Sequence, residues 1–198
     1  MKRFWVGLLV LIWGSGLLAS CGEGSPPRRD FAYAEAAFTA VVRGTYTVSG
    51  GTSADIPRAV AAEVSVGAPT EDGRPRDVTV SFTAPPALAG VTARAVTSPG
   101  ESAPTVTFSA VTPHGTVTST ATRGEYDGLL RFARALIPVG DVAEVSATAE
   151  DGTHTVTRRT AEGDGEAVYL FAETGGLPLR VTVRQEGWVL ELTVTPRS

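Results

Sequence analysis

Apolar and polar residues alternate one by one over most of this chain. From Phe38 onward, Phe38, Ala40, Val42, Gly44, Tyr46 and Val48 fall on one side, and Thr39, Arg43, Thr45 and Thr47 on the other. A period of two marks a strand with one face buried. The same alternation predicts strands over Ala59–Val66, Val78–Ala84, Val91–Thr97, Thr105–Val111 and Thr116–Thr122. Between them stand turn residues: Asp72-Gly73, Pro85-Pro86, Pro99-Gly100 and Pro113-His114-Gly115. A second run predicts strands over Val142–Ala149, Thr153–Thr160, Ala167–Ala172, Leu179–Gln185 and Val189–Thr195. Its connectors are short and contain glycine, among them Gly175-Gly176 and Glu186-Gly187, as antiparallel hairpins require.

Two segments break this rhythm. Phe31, Ala34 and Phe38 have helical spacing in an Ala-rich stretch, which predicts a short helix passing into the first strand. Between the two runs, Leu129, Phe132, Ala133, Leu136 and Ile137 recur at i, i+3, i+4, i+7 and i+8. That spacing makes one apolar stripe and predicts an amphipathic helix over residues 124–138. Glu125 and Asp127 come early, where the helix dipole favours acids, and Pro138 ends it.

The first 30 residues follow neither pattern. Lys2 and Arg3 precede an apolar run from Phe4 to Leu18. Fifteen helical residues span about 22 Å, short of the roughly 20 residues a membrane crossing needs. The run fits a signal peptide over residues 1–20, and Leu18-Ala19-Ser20-Cys21 resembles the lipobox of bacterial lipoproteins. That resemblance implies cleavage before Cys21, acylation of its sulfur, and attachment to the extracytoplasmic face of the cell membrane. Cys21 is the chain's one cysteine, so lipidation accounts for the whole cysteine content. Residues 22–30 form a polar tether containing Pro26-Pro27. Its first eight residues reach at most about 28 Å, which would hold the domain near the bilayer.

Cleavage would leave 178 residues, enough for the tether and a single domain over 31–198. The processed chain from Cys21 on would carry 15 Arg and no Lys against 21 acids, a formal charge of −6. An acidic chain argues against nucleic acid as a partner.

Little points to catalysis. His114 and His154 read as two unrelated surface residues, and with no further His or Cys a zinc site would need carboxylates from afar. No Gly-x-Ser-x-Gly elbow or phosphate loop occurs. Glu162, Asp164 and Glu166 alternate with glycine as a solvated hairpin tip would. No enzyme activity, cofactor or metal is expected. The aromatic residues of the strands, Tyr46, Tyr169, Phe171 and Trp188, suit either a core or a groove.

The order of a short helix, strands, one amphipathic helix and further antiparallel strands resembles the LolA-like superfamily, which includes LolA, LolB and GerS. The likeness rests on Phe38-Thr39-Ala40-Val41-Val42, on Gly128-Leu129-Leu130 through Leu136-Ile137, and on Gly176-Leu177-Pro178-Leu179-Arg180-Val181. It implies a mainly β domain with α: a curved antiparallel sheet forming an incompletely closed β-barrel with a helical lid. It also implies a non-catalytic binding or accessory module for a lipid, an acyl chain or an envelope protein. Leu129, Phe132, Ala133, Leu136, Ile137 and Trp188 are the candidates for lid or groove. The chain departs from the carrier in keeping an anchor and in having Ala84-Pro85 where the carrier has Arg-Pro. A regulatory partner with a filled core, as in GerS, and a β-sandwich surface domain are the alternatives.

Overall fold

The computed structural model describes residues 30–49, 56–98, 100–101, 103–121, 127–138, 141–159 and 165–197. Residues 1–29, with Cys21 and the tether, lie outside them, as do Glu162 and Asp164.

Eleven strands make one antiparallel sheet: β1 (Phe38–Val48), β2 (Arg58–Val66), β3 (Val78–Ala84), β4 (Val91–Val96), β5 (Thr105–Thr112), β6 (Gly115–Ala121), β7 (Asp141–Val145), β8 (Thr153–Arg159), β9 (Gly165–Ala172), β10 (Arg180–Gln185) and β11 (Trp188–Pro196). Their order is β6-β5-β4-β3-β2-β1-β11-β10-β9-β8-β7. Two meanders therefore join at the β1–β11 pair, where Val42 faces Val194 and Gly44 faces Leu192. The sheet curves, but its outer strands β6 and β7 do not pair, so it stays open. One sheet rather than two facing sheets excludes the β-sandwich.

The alternation seen in the sequence becomes the two faces of this sheet. Ala40, Val42, Ala62, Val64, Val80, Phe82, Ala93, Val181, Leu190 and Leu192 are buried on the concave side. Their neighbours, such as Thr39, Ser65, Thr79 and Arg94, face outward and form rungs from strand to strand. β-branched residues keep their side chains stiff on such a pleated surface.

Gly44 is required at the joint. A Cβ there would lie 1.7 Å from the Glu191 carbonyl oxygen, so only glycine lets β1 and β11 approach this closely. Gly187, at φ +77°, completes the two-residue Glu186-Gly187 turn between Gln185 and Trp188. A left-handed φ suits glycine because it has no Cβ to clash.

Both helical segments end earlier than the sequence pattern predicts, and residues 124–126, with Glu125, lie outside the described residues. Near the N-terminus only a 3-10 turn forms, over Ala32–Glu35, before β1 begins at Phe38. The second is α1 (Asp127–Arg134). Its last turn tightens, with Leu136 N–H donating to the Ala133 carbonyl and Ile137 N–H to Arg134. This tightening rotates the stripe. Leu130, Phe132, Ala133, Ala135 and Leu136 are buried, while Leu129 and Ile137 are half-buried. The strand expected over Val142–Ala149 stops at Val145, past a register shift between Val142 and Glu144.

Candidate functional site

Two covers lie on the concave face, one over each meander. α1 packs on β2, β3 and β4. Phe132 meets Phe82 edge to face at 5.3 Å, a geometry the ring quadrupoles favour.

The second cover is the strap formed by residues 30–37. Phe31 inserts between Tyr169 and Phe171, at 5.1 and 5.2 Å and nearly perpendicular to both. The Arg158 guanidinium caps the Phe31 ring at 4.9 Å. At the start of the strap, the Asp30 carboxylate lies 2.7 Å from Nε2 of His154, which is buried and stacks on Phe171. His154 is thus not the surface residue its sequence setting suggests. A polar ring can stand in this apolar face because Asp30, 124 positions away in sequence, supplies its partner. His114 stays exposed in its turn.

Arg76 holds the strap's backbone. Its Nη1 donates to the Ala34 carbonyl at 2.8 Å, its Nη2 to Ala36 at 2.6 Å and its Nε to Gly67 at 2.6 Å. A planar guanidinium suits such a spread of acceptors. The two covers meet where the Tyr33 hydroxyl donates to the Leu136 carbonyl at 2.7 Å. Burial pushes the Tyr33 phenol well above its ordinary pKa, and pushes Tyr169 up to about 12.

The covers leave a cleft of about 300 Å³ between the end of α1 and strands β9, β10 and β11. Ala135, Ala167, Tyr169, Val183 and Trp188 give it an apolar lining; Arg131, Arg134, Glu166 and Gln185 supply polar groups. Its volume sits at the lower end of small-molecule sites, roughly 300–1,000 Å³. Arg131 closes one side. Its guanidinium lies 4.7 Å from the Trp188 ring centre and 5.8 Å from that of Tyr46, and it also donates to the Tyr46 hydroxyl. Such a stacked cation contributes about 0.5–2 kcal/mol. Glu166 pairs with Arg184 at 3.5 Å, at an exposed position where water screens the pair.

Two further depressions are larger but differently made. One, of about 580 Å³, is lined by outward-facing Thr39, Ser65, Thr79 and Arg94. The other, of about 600 Å³, lies between the strap and exposed Val142 and Val145 of β7. Among the described residues no group of three or more His, Cys, Asp or Glu is placed to hold a metal.

Of the six lid and groove candidates, Trp188 lines the cleft. Phe132, Ala133 and Leu136 are buried in the core, and Leu129 and Ile137 pack at its margin. Cys21 lies outside the described residues. Sequence reasoning missed Arg131, which carries the cation, and Ala135. Arg131 precedes Phe132 and so points off the stripe, but nothing local shows that Trp188 waits 57 positions later.

No protein-family model matches the sequence, and no curated protein matches it. Among solved structures the chain is similar to a DUF1329 family protein from Desulfovibrio piger, with a TM-score of 0.44 and 10% identity, covering 83% of this chain and 85% of that one. It is also similar to a LolA superfamily protein from Nitrosomonas europaea, with a TM-score of 0.40 and 11% identity, covering 83% of this chain and 87% of that one.

Proposed function

We propose that the chain is a lipid-anchored extracytoplasmic lipoprotein, cut before Cys21, whose domain works by binding and not by catalysis. The cleft beside α1 takes an acyl chain of a membrane lipid. The supporting observation is the composition of that cleft: an apolar floor of Ala167, Tyr169 and Val183 beneath Trp188, with Arg131 at its side. An apolar tail gains by leaving water for such a floor, at about 25 cal/mol per Å². Cationic side chains at the mouth suit an anionic head group.

A second reading, an accessory protein with a filled core, draws on the close packing of Phe132 on Phe82. One experiment separates the two. Trp188 is the single tryptophan after residue 20, so the fluorescence of the processed chain reports on the cleft alone. Bromine-labelled fatty acids should quench it saturably, and Val183→Phe, which fills the cleft, should abolish the effect. An unquenched Trp188, with no lipid co-purifying by native mass spectrometry, sinks the acyl-chain reading and leaves the filled core. The intact mass of protein extracted from cells tests the anchor, which fails if the leader is retained and Cys21 is unmodified.

A further inference from the structure

The two edges of the open sheet are built differently. β7 is short, all its residues are exposed, and it carries Asp141 and Glu144 together with a register shift. Charges, irregularity and shortness are the devices by which proteins keep an edge from pairing. β6 has none of them. Its seven residues, Gly-Thr-Val-Thr-Ser-Thr-Ala, include no charge and no proline, and its register with β5 runs unbroken from Gly115 to Ala121. Residues 115–120 are exposed on both faces.

The hairpin shows which groups β6 offers. Thr112 pairs with Gly115 across the two-residue turn Pro113-His114. In antiparallel strands bonded and non-bonded pairs alternate. Counting from that closing pair, Gly115, Val117, Ser119 and Ala121 bond to β5. Thr116, Thr118 and Thr120 direct their N–H and C=O groups away from the sheet.

This free edge is complementary to itself. Two copies aligned antiparallel about Thr118 place Thr118 opposite Thr118, and Thr116 opposite Thr120 at both ends. All three are bonded pairs, and each is a Thr–Thr pair on the outer face, a combination that stabilises by about 0.2–1 kcal/mol. No charge faces a like charge, whereas β7 carries Asp141 and Glu144. We infer that β6 is a docking edge for a second copy of this chain, joining two sheets about a two-fold axis through Thr118. An isologous contact of this kind closes on itself and makes a dimer, not a fibre.

Cysteine substitution in the full chain tests this in intact membranes. At a bonded antiparallel pair the Cβ atoms lie about 5.5 Å apart, beyond the roughly 3.5–4.5 Å of a relaxed disulfide but within reach of a short thiol-to-thiol cross-linker. Thr118→Cys should give a covalent dimer with dibromobimane. Val142→Cys on the opposite edge should give no more than the unaltered chain, whose one cysteine, Cys21, is taken up by the proposed acylation. In the detergent-extracted protein, Thr118→Lys should raise the dimer dissociation constant at least about tenfold by sedimentation, with an unchanged circular dichroism spectrum. A folded Thr118→Cys protein that stays monomeric overturns the inference. So does a cross-linked species whose mass is not twice that of the chain, which would assign the edge to a foreign strand.

Discussion

The two meanders share one sheet yet are filled in opposite ways. On β2–β5 the buried concave side chains are mostly small, Val60, Ala62, Val64, Val80, Ala93 and Val106, with the Phe82 ring among them and Phe108 half-buried at the side. On β8 and β9 three of the five buried side chains are rings, His154, Tyr169 and Phe171, beside Val156 and Ala167. The size of the floor decides the cover. A helix with its side chains is about 10 Å across, and it settles where most side chains beneath it are short, as α1 does on β2–β4. The aromatic floor fills its own space and admits a strap one residue thick, with Phe31 wedged between two rings. The cleft opens where the two ways of filling meet, beside Trp188.

The largest effect should come from cutting the joint between the halves. Gly44→Val would drive a side chain into the Glu191 carbonyl and part β1 from β11. A loss above about 4 kcal/mol is expected, read as failure to accumulate folded protein. A cooperative thermal transition near that of the parent would show that the halves do not depend on this joint.

Next come the two wedges. Phe132→Ala opens a void under α1 against Phe82 and should cost about 3–5 kcal/mol in chemical denaturation. Phe31 is half-buried, and Phe31→Ala should cost less, about 1–3 kcal/mol. It should also speed hydrogen exchange in the strap and around His154 while α1 stays protected. Equal, global destabilisation by both would mean that the covers are one unit and not two.

The smallest effect separates the halves by pH. Tyr169 ionises near 12 in the fold because burial disfavours the phenolate, and near 10 once unfolded. Between these values the folded chain holds the extra proton, so stability is intact below pH 10 and falls as pH rises towards 12. At pH 11 this amounts to roughly 1.4 kcal/mol from Tyr169 alone. Tyr33, raised for the same reason, acts in the same direction. Tyr169→Phe should remove part of this alkaline loss in denaturation curves run at pH 9 and 11. An unchanged difference would place the sensitivity outside the aromatic half.

What the sequence revealed is what depends on neighbours in the chain. Alternation from Phe38 to Val48 and from Val78 to Ala84 marks strands because successive side chains must point to opposite faces. Glu186-Gly187 marks its hairpin because the turn needs the left-handed conformation at Gly187. The helix stripe was legible except in its last turn, where the tertiary bond from Tyr33 to Leu136 accompanies a tighter winding. The site was hidden for a different reason. Asp30 meets His154 across 124 positions, Tyr33 meets Leu136 across 103, and Arg131 meets Tyr46 across 85. Each contact follows from how the curved sheet brings distant strands under two covers, and no local period encodes that. Gly44 was equally silent: in the alternation it counts as one more small residue, and only the pairing with β11 shows that a Cβ has no room.

The Arg76 clamp and the Asp30–His154 pair also set how the domain would bear a mechanical load. A chain held by its N-terminus, as the proposed anchor would hold it, transmits tension into the described domain first at Asp30. Tension there must break the pair to His154, draw Phe31 from between its two rings and strip Ala34 and Ala36 from the Arg76 guanidinium before it reaches β1. β1 lies at the centre of the sheet, paired on both sides. Under such a pull the strap would act as a sacrificial link: it would yield first and leave the strand pairs of β1 intact.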